Sequence, residues 1–462
     1  MTRMSGWLPI TLLVLATSPM LVAADDVKLP IAPMSAAEAS GSGDGKASSE
    51  KAAQDSPAAT DSLPTPEIVT LETITPLFEP AMQSVVQQAI DNSPAIQQAL
   101  ADVQKARGLR FQSTRSPNPV AGYSAAEVGN EGYAGQQGVF WSQNFRVAEK
   151  LDLNDQIGHF DVQATTWNWQ VEQARVAGSV QLAWYAAAAA AQRVALLEKL
   201  KSVLEGGVRT TKSLLDAGEL GRGPYLQAQL ELQQILLEIQ NAESSLEGTR
   251  KQLAAIAAMP VDLLPGEFPG LNDSLGFVDE PSYIADLLAN SPELHLARAR
   301  IVEARYRICR EQVEPVPDLQ TQFSLQYDTS TKYTVGGIQL GVALPILDRN
   351  RGNISAASAE HIRACQEVRR KELELTRKSA AAYRDLAIAN RDIQTIDTKL
   401  LPLAQDNLKA TSDSFKLGES SYQNLLTAQR SYVELIVSRI DALRRARQAE
   451  AVIRSYLLAE QP

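Results

Sequence analysis

Residues 400–438 read LLPLAQDNLKATSDSFKLGESSYQNLLTAQRSYVELIVS, and their reading decides the fold. The stretch has the form of a long helix ending, a tight turn at Gly418, and a second helix running back. The turn is Lys416-Leu417-Gly418-Glu419-Ser420-Ser421. Glycine is the residue that most cheaply takes the left-handed conformation in which helices stop. Nearly the same pattern occupies residues 215–232. There Gly218-Glu219 precede Ala228-Gln229 by ten residues, as Gly418-Glu419 precede Ala428-Gln429. Two helix–turn–helix tips at a constant offset of 200 residues predict an internal duplication.

The duplication extends outward from the tips. Asn92-Ser93-Pro94 recurs as Asn290-Ser291-Pro292, and Pro117 and Pro119 recur as Pro315 and Pro317. Proline at a first helical position needs no N–H there, so Asn-Ser-Pro is a good helix start. Each half therefore reads as a short helix, a proline-marked stop, an extended region, a very long helix, a glycine tip and a returning helix. The expected organisation is a secretory signal peptide over 1–24, a disordered linker over 25–80, a first repeat over 81–270 and a second over 271–462. Arg3, the apolar run 7–22 and Val22-Ala23-Ala24 supply the parts of an export signal. The following segment is rich in Ala, Ser, Asp and Pro and too poor in apolar residues to offset its ordering entropy.

The long helices are expected over 155–216 and 353–417, each on the order of 95 Å at 1.5 Å per residue. Leu232, Ile235, Ile239, Ala242, Leu246, Thr249, Leu253 and Ile256 alternate by threes and fours on the returning helix, the heptad pattern of a coiled coil. Pro402 predicts a kink or break in the second long helix. Residues 176–192 carry no charge and include six consecutive alanines, Ala186 to Ala191. Their modest hydrophobicity, and the charged counterpart around Arg377, Lys378, Arg384 and Asp385, favour a tightly packed helix over a membrane span.

The extended regions carry a different signal. Over 319–328, Leu319, Thr321, Phe323, Leu325 and Tyr327 alternate with Gln320, Gln322, Ser324, Gln326 and Asp328. Over 336–346, Ile338, Leu340, Val342, Leu344 and Ile346 alternate with Gly337, Gln339, Gly341, Ala343 and Pro345. Strands of about ten residues with one apolar face are what a transmembrane β-barrel needs. The first half offers the weaker pair 120–128 and 139–147. On the alternation alone, a half-buried hairpin in a water-soluble sheet fits equally well. Four strands cannot close a barrel, and an open edge is not tolerated in lipid, so a membrane reading requires several chains sharing one barrel.

The order of these features resembles that of the TolC-like outer-membrane efflux proteins, the outer-membrane factors of tripartite pumps, and within them the heavy-metal type most. The resemblance rests on the duplicated Asn-Ser-Pro starts, Ser142-Gln143 with Glu149-Lys150-Leu151, the run Leu344-Pro345-Ile346-Leu347-Asp348-Arg349-Asn350-Arg351-Gly352, Leu401-Pro402-Leu403-Ala404 and the two tips. It covers the chain from about residue 82 onward. It implies a mainly α fold with a small transmembrane β part: a long α-helical coiled-coil barrel beneath a β-barrel shared by a homotrimer, four strands per chain. The implied place is the outer membrane, with a long periplasmic extension. The implied partners are outer-membrane lipid, a periplasmic adaptor and an inner-membrane transporter, with solutes moving passively. An equatorial region is implied near residues 259–290 and at the carboxyl terminus.

The tips would dock the adaptor through Gly218, Leu220, Gly223, Leu226, Gly418, Ser421, Leu425 and Leu426, the small residues admitting a second hairpin and the leucines anchoring it. Some relatives carry gate aspartates at positions matching Asn424 and Thr427, and a gate arginine at the position of Ser420. This chain is neutral at all three, leaving Glu419 to form any carboxylate ring. Phe323, Leu325, Tyr327, Ile338, Leu340, Val342 and Leu344 would face lipid.

No catalytic, cofactor or metal constellation is legible. His159, His295 and His361 have no ligand spacing. No strand precedes the glycine-rich run 218–223, so it is no phosphate loop. Asn353-Ile354-Ser355 is a sequon without meaning in a bacterial-type protein. The formal net charge of −10 without a dense basic patch argues against nucleic acid. Cys309 and Cys365 are expected to remain unpaired inside helices. The alternative to an export channel is a soluble periplasmic coiled-coil adaptor or structural spacer with a small β domain; an enzyme is not expected.

Overall fold

Two helical hairpins, each carrying a β-hairpin at one end, make up the chain in the computed structural model. It describes residues 80–459 apart from 130, 131, 133, 219, 270, 272–278 and 418. The signal peptide and all of the linker but Pro80 lie outside the described residues, as does Gly418. Pro80 itself opens the first helix.

The elements follow in order: α1 (Pro80–Asn92), α2 (Pro94–Ser113), β1 (Val120–Ala126), β2 (Gln136–Phe145), α3 (Lys150–Asp216) and α4 (Arg222–Ile256). Then come a 3₁₀ turn (Val261–Leu263), α5 (Glu280–Asn290), α6 (Pro292–Val313), β3 (Leu319–Asp328), β4 (Tyr333–Val342), α7 (Arg351–Thr395), a π segment (Ile396–Leu400), α8 (Leu401–Lys416) and α9 (Tyr422–Arg454). The same sequence of elements thus occurs twice. Pro94 and Pro292 sit in the first turns of α2 and α6, as their missing N–H requires.

α3 runs 67 residues without a break, roughly 100 Å at the α-helical rise. No proline interrupts it, and small residues let neighbours close on it. The stretch 176–192 is core: Ala183, Trp184, Ala187 and Ala188 are fully buried. Trp184 meets Phe268 edge-on at 5.0 Å and donates its indole N–H to the Pro269 carbonyl at 3.2 Å. Among the described residues, no helix is long and apolar enough to cross a membrane.

The second long helix is not one helix. Pro402 has no amide hydrogen, and its ring clashes with the carbonyl four residues back. The backbone answers with the five-residue π segment just before it, between α7 and α8. Both long helices also begin a few residues earlier than the pattern predicts. Their caps, Glu149 and Asn350, are non-glycine residues in the left-handed region at φ 56°.

Along α4 every residue of the heptad series is buried or half-buried, with Ile235, Ile239, Ala242 and Leu253 the deepest. The four strands form one antiparallel sheet in the order β1-β2-β3-β4. β3 has the expected limits. β4 ends at Val342, so Leu344 and Ile346 fall in the segment beyond it; β2 starts and stops earlier than expected. The cysteines are free. Asn350 bonds to Glu311 and Lys371 to Glu293, which fixes the antiparallel register of α6 and α7. In that register Cys309 and Cys365 lie about eleven residues apart along the pair, ~17 Å and far beyond disulfide reach.

Candidate functional site

Sheet register determines which side chains share a face. One cross-strand row is Ala121–Trp141–Phe323–Ile338; the next is Val120–Ser142–Gln322–Gln339. The first row belongs to a face that also holds Tyr123, Val139, Leu325, Tyr327, Leu340 and Val342. Trp141 and Phe323 touch with ring centroids 5.9 Å apart. Phe323, Leu325, Tyr327, Ile338, Leu340 and Val342 are thus brought together as expected, whereas Leu344 is past the ladder. This face is uncovered: Leu325 is 57% and Ile338 73% exposed. The opposite face carries Ser124, Gln136, Ser142, Asn144, Gln320, Gln322, Ser324, Gln326 and Gln339, interspersed with Val120, Phe140, Tyr333 and Val335. The Gln326 amide donates to Ser124 Oγ at 2.7 Å across Gly138. Asp328, at one end of the sheet, is the only acidic or basic residue on that face within the strands. An apolar face of this area cannot be left in water without a partner, and the outer edges of β1 and β4 carry unpaired backbone groups.

The helices show edges too. Near the sheet they pack in the order α2, α3, α6, α7; towards the tips the order is α4, α3, α9, α8. Exposed large apolar side chains sit on the outermost helices: Leu109 and Phe111 on α2, Ile362 and Leu373 on α7, Leu226, Leu230 and Leu237 on α4, and Leu403 on α8. On α-helices Val203 of α3 is the exception among the described residues.

At the first tip Gly218 adopts φ +74° with open space around it. Its amide donates to the Leu215 carbonyl (3.0 Å), and the Leu220 amide to Leu214 (3.2 Å). At the second tip the amides of Glu419 and Ser420 donate to the Ser414 carbonyl at 2.9 and 3.3 Å. The returning helices are capped by Gly221 and by Ser421, whose hydroxyl accepts from the Asn424 amide at 3.3 Å. Gly223, Leu226 and Ser421 are exposed, and Leu220 is half-buried.

Leu425 and Leu426 are not surface anchors. They are 9% and 4% exposed and pack with Leu197, Leu204, Ala228, Ile235 and Tyr422 in a core joining the two hairpins. The apolar stripe of α9 is already covered by the first hairpin of the same chain. Tyr422 closes that core against Gly207, where a Cβ would come within 2.8 Å of its hydroxyl oxygen. Burial, with the Glu231 carboxylate nearby, pushes the Tyr422 phenol up.

The neutral positions at the second tip bond to each other and to the backbone. Asn424 donates to Ser420 Oγ at 3.3 Å, and Thr427 to the Gln423 carbonyl at 2.9 Å. Glu419, Asn424 and Thr427 are exposed. A stronger link lies slightly deeper. Arg430 of α9 makes a two-pronged bridge to Glu231 of α4 at 2.5 and 2.6 Å and adds Gln234 at 2.8 Å. Residues 199 positions apart carry no local spacing signal, so only the packed hairpins reveal this pair.

His159 and His295 serve packing. His159 lies 3.5 Å from the Arg110 guanidinium, and His295 stacks on Trp167 at 4.4 Å. Burial pulls both imidazoles below their usual range, with nearby arginines adding to it. No group of three or more His, Cys, Asp or Glu residues able to hold a metal occurs among the described residues.

Comparison with known proteins matches this geometry. The cobalt-zinc-cadmium resistance protein CzcC of Cupriavidus metallidurans is 26% identical over 264 residues. That match covers 57% of this chain and spans 63% of the relative's length. A membrane protein from Pseudomonas aeruginosa superposes with a TM-score of 0.71 at 17% identity, over 82% of this chain and 92% of that one. The outer-membrane channel OprN superposes at 0.70 and 15% identity, over 83% and 91%. The chain has the fold of these two solved structures, and its residues 283–457 match the family described as outer membrane efflux protein.

Proposed function

We propose that this chain is one subunit of a homotrimeric outer-membrane channel that conducts solutes passively from a periplasmic adaptor and an inner-membrane transporter to the exterior. The sheet carries the reading. It has two free edges and one uncovered face led by apolar side chains. On the other face amide and hydroxyl side chains outnumber the apolar ones, and Asp328 is the single charge. Lipid outside and water inside therefore suit the two faces best. Three copies joined edge to edge make a twelve-stranded barrel, three times the four strands of one chain. The exposed apolar residues on the outermost helices would be covered by the same closure, continuing the barrel as a helical tunnel. Neighbouring subunits, not an added ligand, complete the structure.

The tips, at the far end of the long helices, are the surfaces left for an adaptor. Gly218, Gly223, Gly418 and Ser421 would admit a helical hairpin against the backbone. Leu220 and Leu226 would supply apolar contact, with Leu425 and Leu426 acting from beneath as support. Ser420, Asn424, Thr427 and Glu419 would line the constriction. The name of the CzcC relative supports divalent transition-metal ions as cargo. The polar lining is neutral apart from Asp328, which leaves cargo choice to the transporter.

Size analysis of detergent-extracted protein tests the assembly. Chemical cross-linking is expected to stop at three subunits, and the purified protein to conduct in a planar bilayer. A stable water-soluble monomer would overturn the reading in favour of a periplasmic adaptor or spacer. Loss of the gene is expected to sensitise cells to cobalt, zinc or cadmium; unchanged tolerance removes that cargo class.

A further inference from the structure

The junction between the two repeats inside one chain is a template for the junction between chains. α3 of the first repeat packs on α6 of the second. Across that seam Asn154 accepts from Arg310 at 3.0 Å, Asp161 accepts from Arg300 at 2.7 Å, and Phe160 stacks on Tyr306. At its top, Lys150, the first residue of α3, is 4% exposed. Its ammonium donates to the Val316 carbonyl at 2.7 Å and to Asp318 at 2.9 Å, in the Pro315-Val316-Pro317 turn that leads into β3. One repeat is thereby pinned to the strand of the next.

The second repeat repeats the pin without its socket. Arg351, the first residue of α7, follows a cap with the same left-handed backbone (φ 56°, ψ 19° at Asn350, against 56° and 20° at Glu149). Arg351 is exposed beside an open hollow of about 360 Å³, and no hydrogen bond or ion pair holds it among the described residues. The socket it lacks is the counterpart of the Pro315 turn, Pro117-Asn118-Pro119, which leads into β1 at the opposite edge of the sheet.

We propose that Arg351 of each subunit pins the Asn118 carbonyl of the next copy, and that α7 packs on the neighbour's α2 in the register that α3 and α6 use within the chain. The proposal rests on the trimeric reading and adds the register to it. Its residue pairs follow from the repeat offsets, 201 between α3 and α7 and 198 between α2 and α6. Asn154 with Arg310 becomes Ser355 with the neighbour's Gln112. Asp161 with Arg300 becomes Ile362 with the neighbour's Asp102. All four are exposed in the single chain, as an unfilled seam requires. Where the internal socket offers Asp318, the first repeat has Val120, so the external pin has no matching carboxylate. A guanidinium, with five donors in a fork, suits carbonyl acceptors there better than an ammonium.

Thiol cross-linking tests the register. In a Cys309→Ser, Cys365→Ser background, Ser355→Cys with Gln112→Cys should give, with a short bifunctional thiol reagent, a covalent ladder ending at three subunits. Ser355→Cys with Gln98→Cys, displaced ~21 Å along α2, should run as a monomer once the trimer is dissociated by heating in SDS. Failure of the first pair, or equal linking of the second, in protein that sizes as a trimer overturns the register and leaves the trimer standing. Protein that sizes only as a monomer overturns both. Arg351→Ala should lower the temperature at which the trimer dissociates in SDS, with Arg351→Lys retaining part of the loss; an unchanged temperature in Arg351→Ala removes the pin.

Discussion

Adjacent residues of β4 should respond in opposite ways to the same charge. Ile338 lies at the middle of the ten-residue strand Tyr333–Val342, on the uncovered apolar face opposite Phe323. Gln339 points the other way, opposite Gln322. An arginine facing lipid at mid-membrane costs ~2–4 kcal/mol, so three copies of Ile338→Arg should cost the barrel ~6–12 kcal/mol. With a rise of ~3.3 Å and a tilt near 45°, each residue changes depth by ~2.3 Å. Val342 then lies ~9 Å from the midplane, where the cost falls to ~0–1 kcal/mol per copy. Gln339→Arg would enter the polar interior and cost little. The assay is the yield of SDS-resistant trimer in outer-membrane fractions. Ile338→Arg should remove most of it, Val342→Arg a smaller part, and Gln339→Arg almost none. Equal loss at Ile338 and Gln339, or no loss at either, would refute the assignment of faces.

Three further outcomes follow from the tips. Ser421→Trp should abolish export while trimer yield stays nearly unchanged, because losing one cap bond costs only ~1 kcal/mol whereas the bulky ring would block the proposed adaptor surface; normal export in a resistance assay would exclude the site. The unmodified channel should be blocked only weakly by trivalent cations from the periplasmic side, and Asn424→Asp with Thr427→Asp should create strong block in a planar bilayer. Tight block of the parent would count against this, and Glu419→Gln would then show whether that carboxylate is responsible. Arg430→Ala leaves the Glu231 carboxylate buried without its partner, which costs ~1–3 kcal/mol for a bridge whose arginine is half exposed. Hydrogen exchange should therefore quicken in α4 and α9 near the tip, and much less in the Arg430→Met, Glu231→Leu double variant. Equal quickening in both would show that the bridge is not the cause.

Much of this architecture was legible where one face of an element meets one environment. The alternation over Leu319–Asp328 marked both the limits and the face of β3. It overran in β4, because Leu344 and Ile346 continue the apolar rhythm past Val342, where β3 ends its pairing at Leu319, on either side of Pro345, which has no amide to donate. β2 was misplaced in the other direction. Gln136 and Gln137 look like loop but pair with Asp328 and Tyr327, a partner strand distant in sequence. Glu149 and Asn350 start the long helices from a left-handed conformation that their residue types do not announce. Leu425 and Leu426 show the same difficulty at the candidate site. Helical spacing identifies an apolar stripe but not what covers it, and here the other hairpin does.

The π segment before Pro402 has a consequence for which way the second tip faces. Down α7 the inward positions run Leu375, Ser379, Ala382, Leu386, Ala389, Ile393 and Ile396, alternating four and three. An unbroken α-helix would carry that count on to Leu400 and Leu403. Instead both are exposed, and Leu401, Ala404, Leu408 and Phe415 turn inward. The wide turn absorbs one residue, so everything below it is rotated by about 100° from where the upper helix would have left it. Pro402 thus acts as an angular spacer, giving the chain one azimuth where α7 packs on α6 and α9 and another where α8 packs on α9. A Pro402→Ala variant whose helix closed into regular α turns through 396–400 would leave α7 seated and swing Leu400 and Leu403 into the seam with α9. Hydrogen exchange confined to α8 and the tip, with α7 still protected, would be its signature.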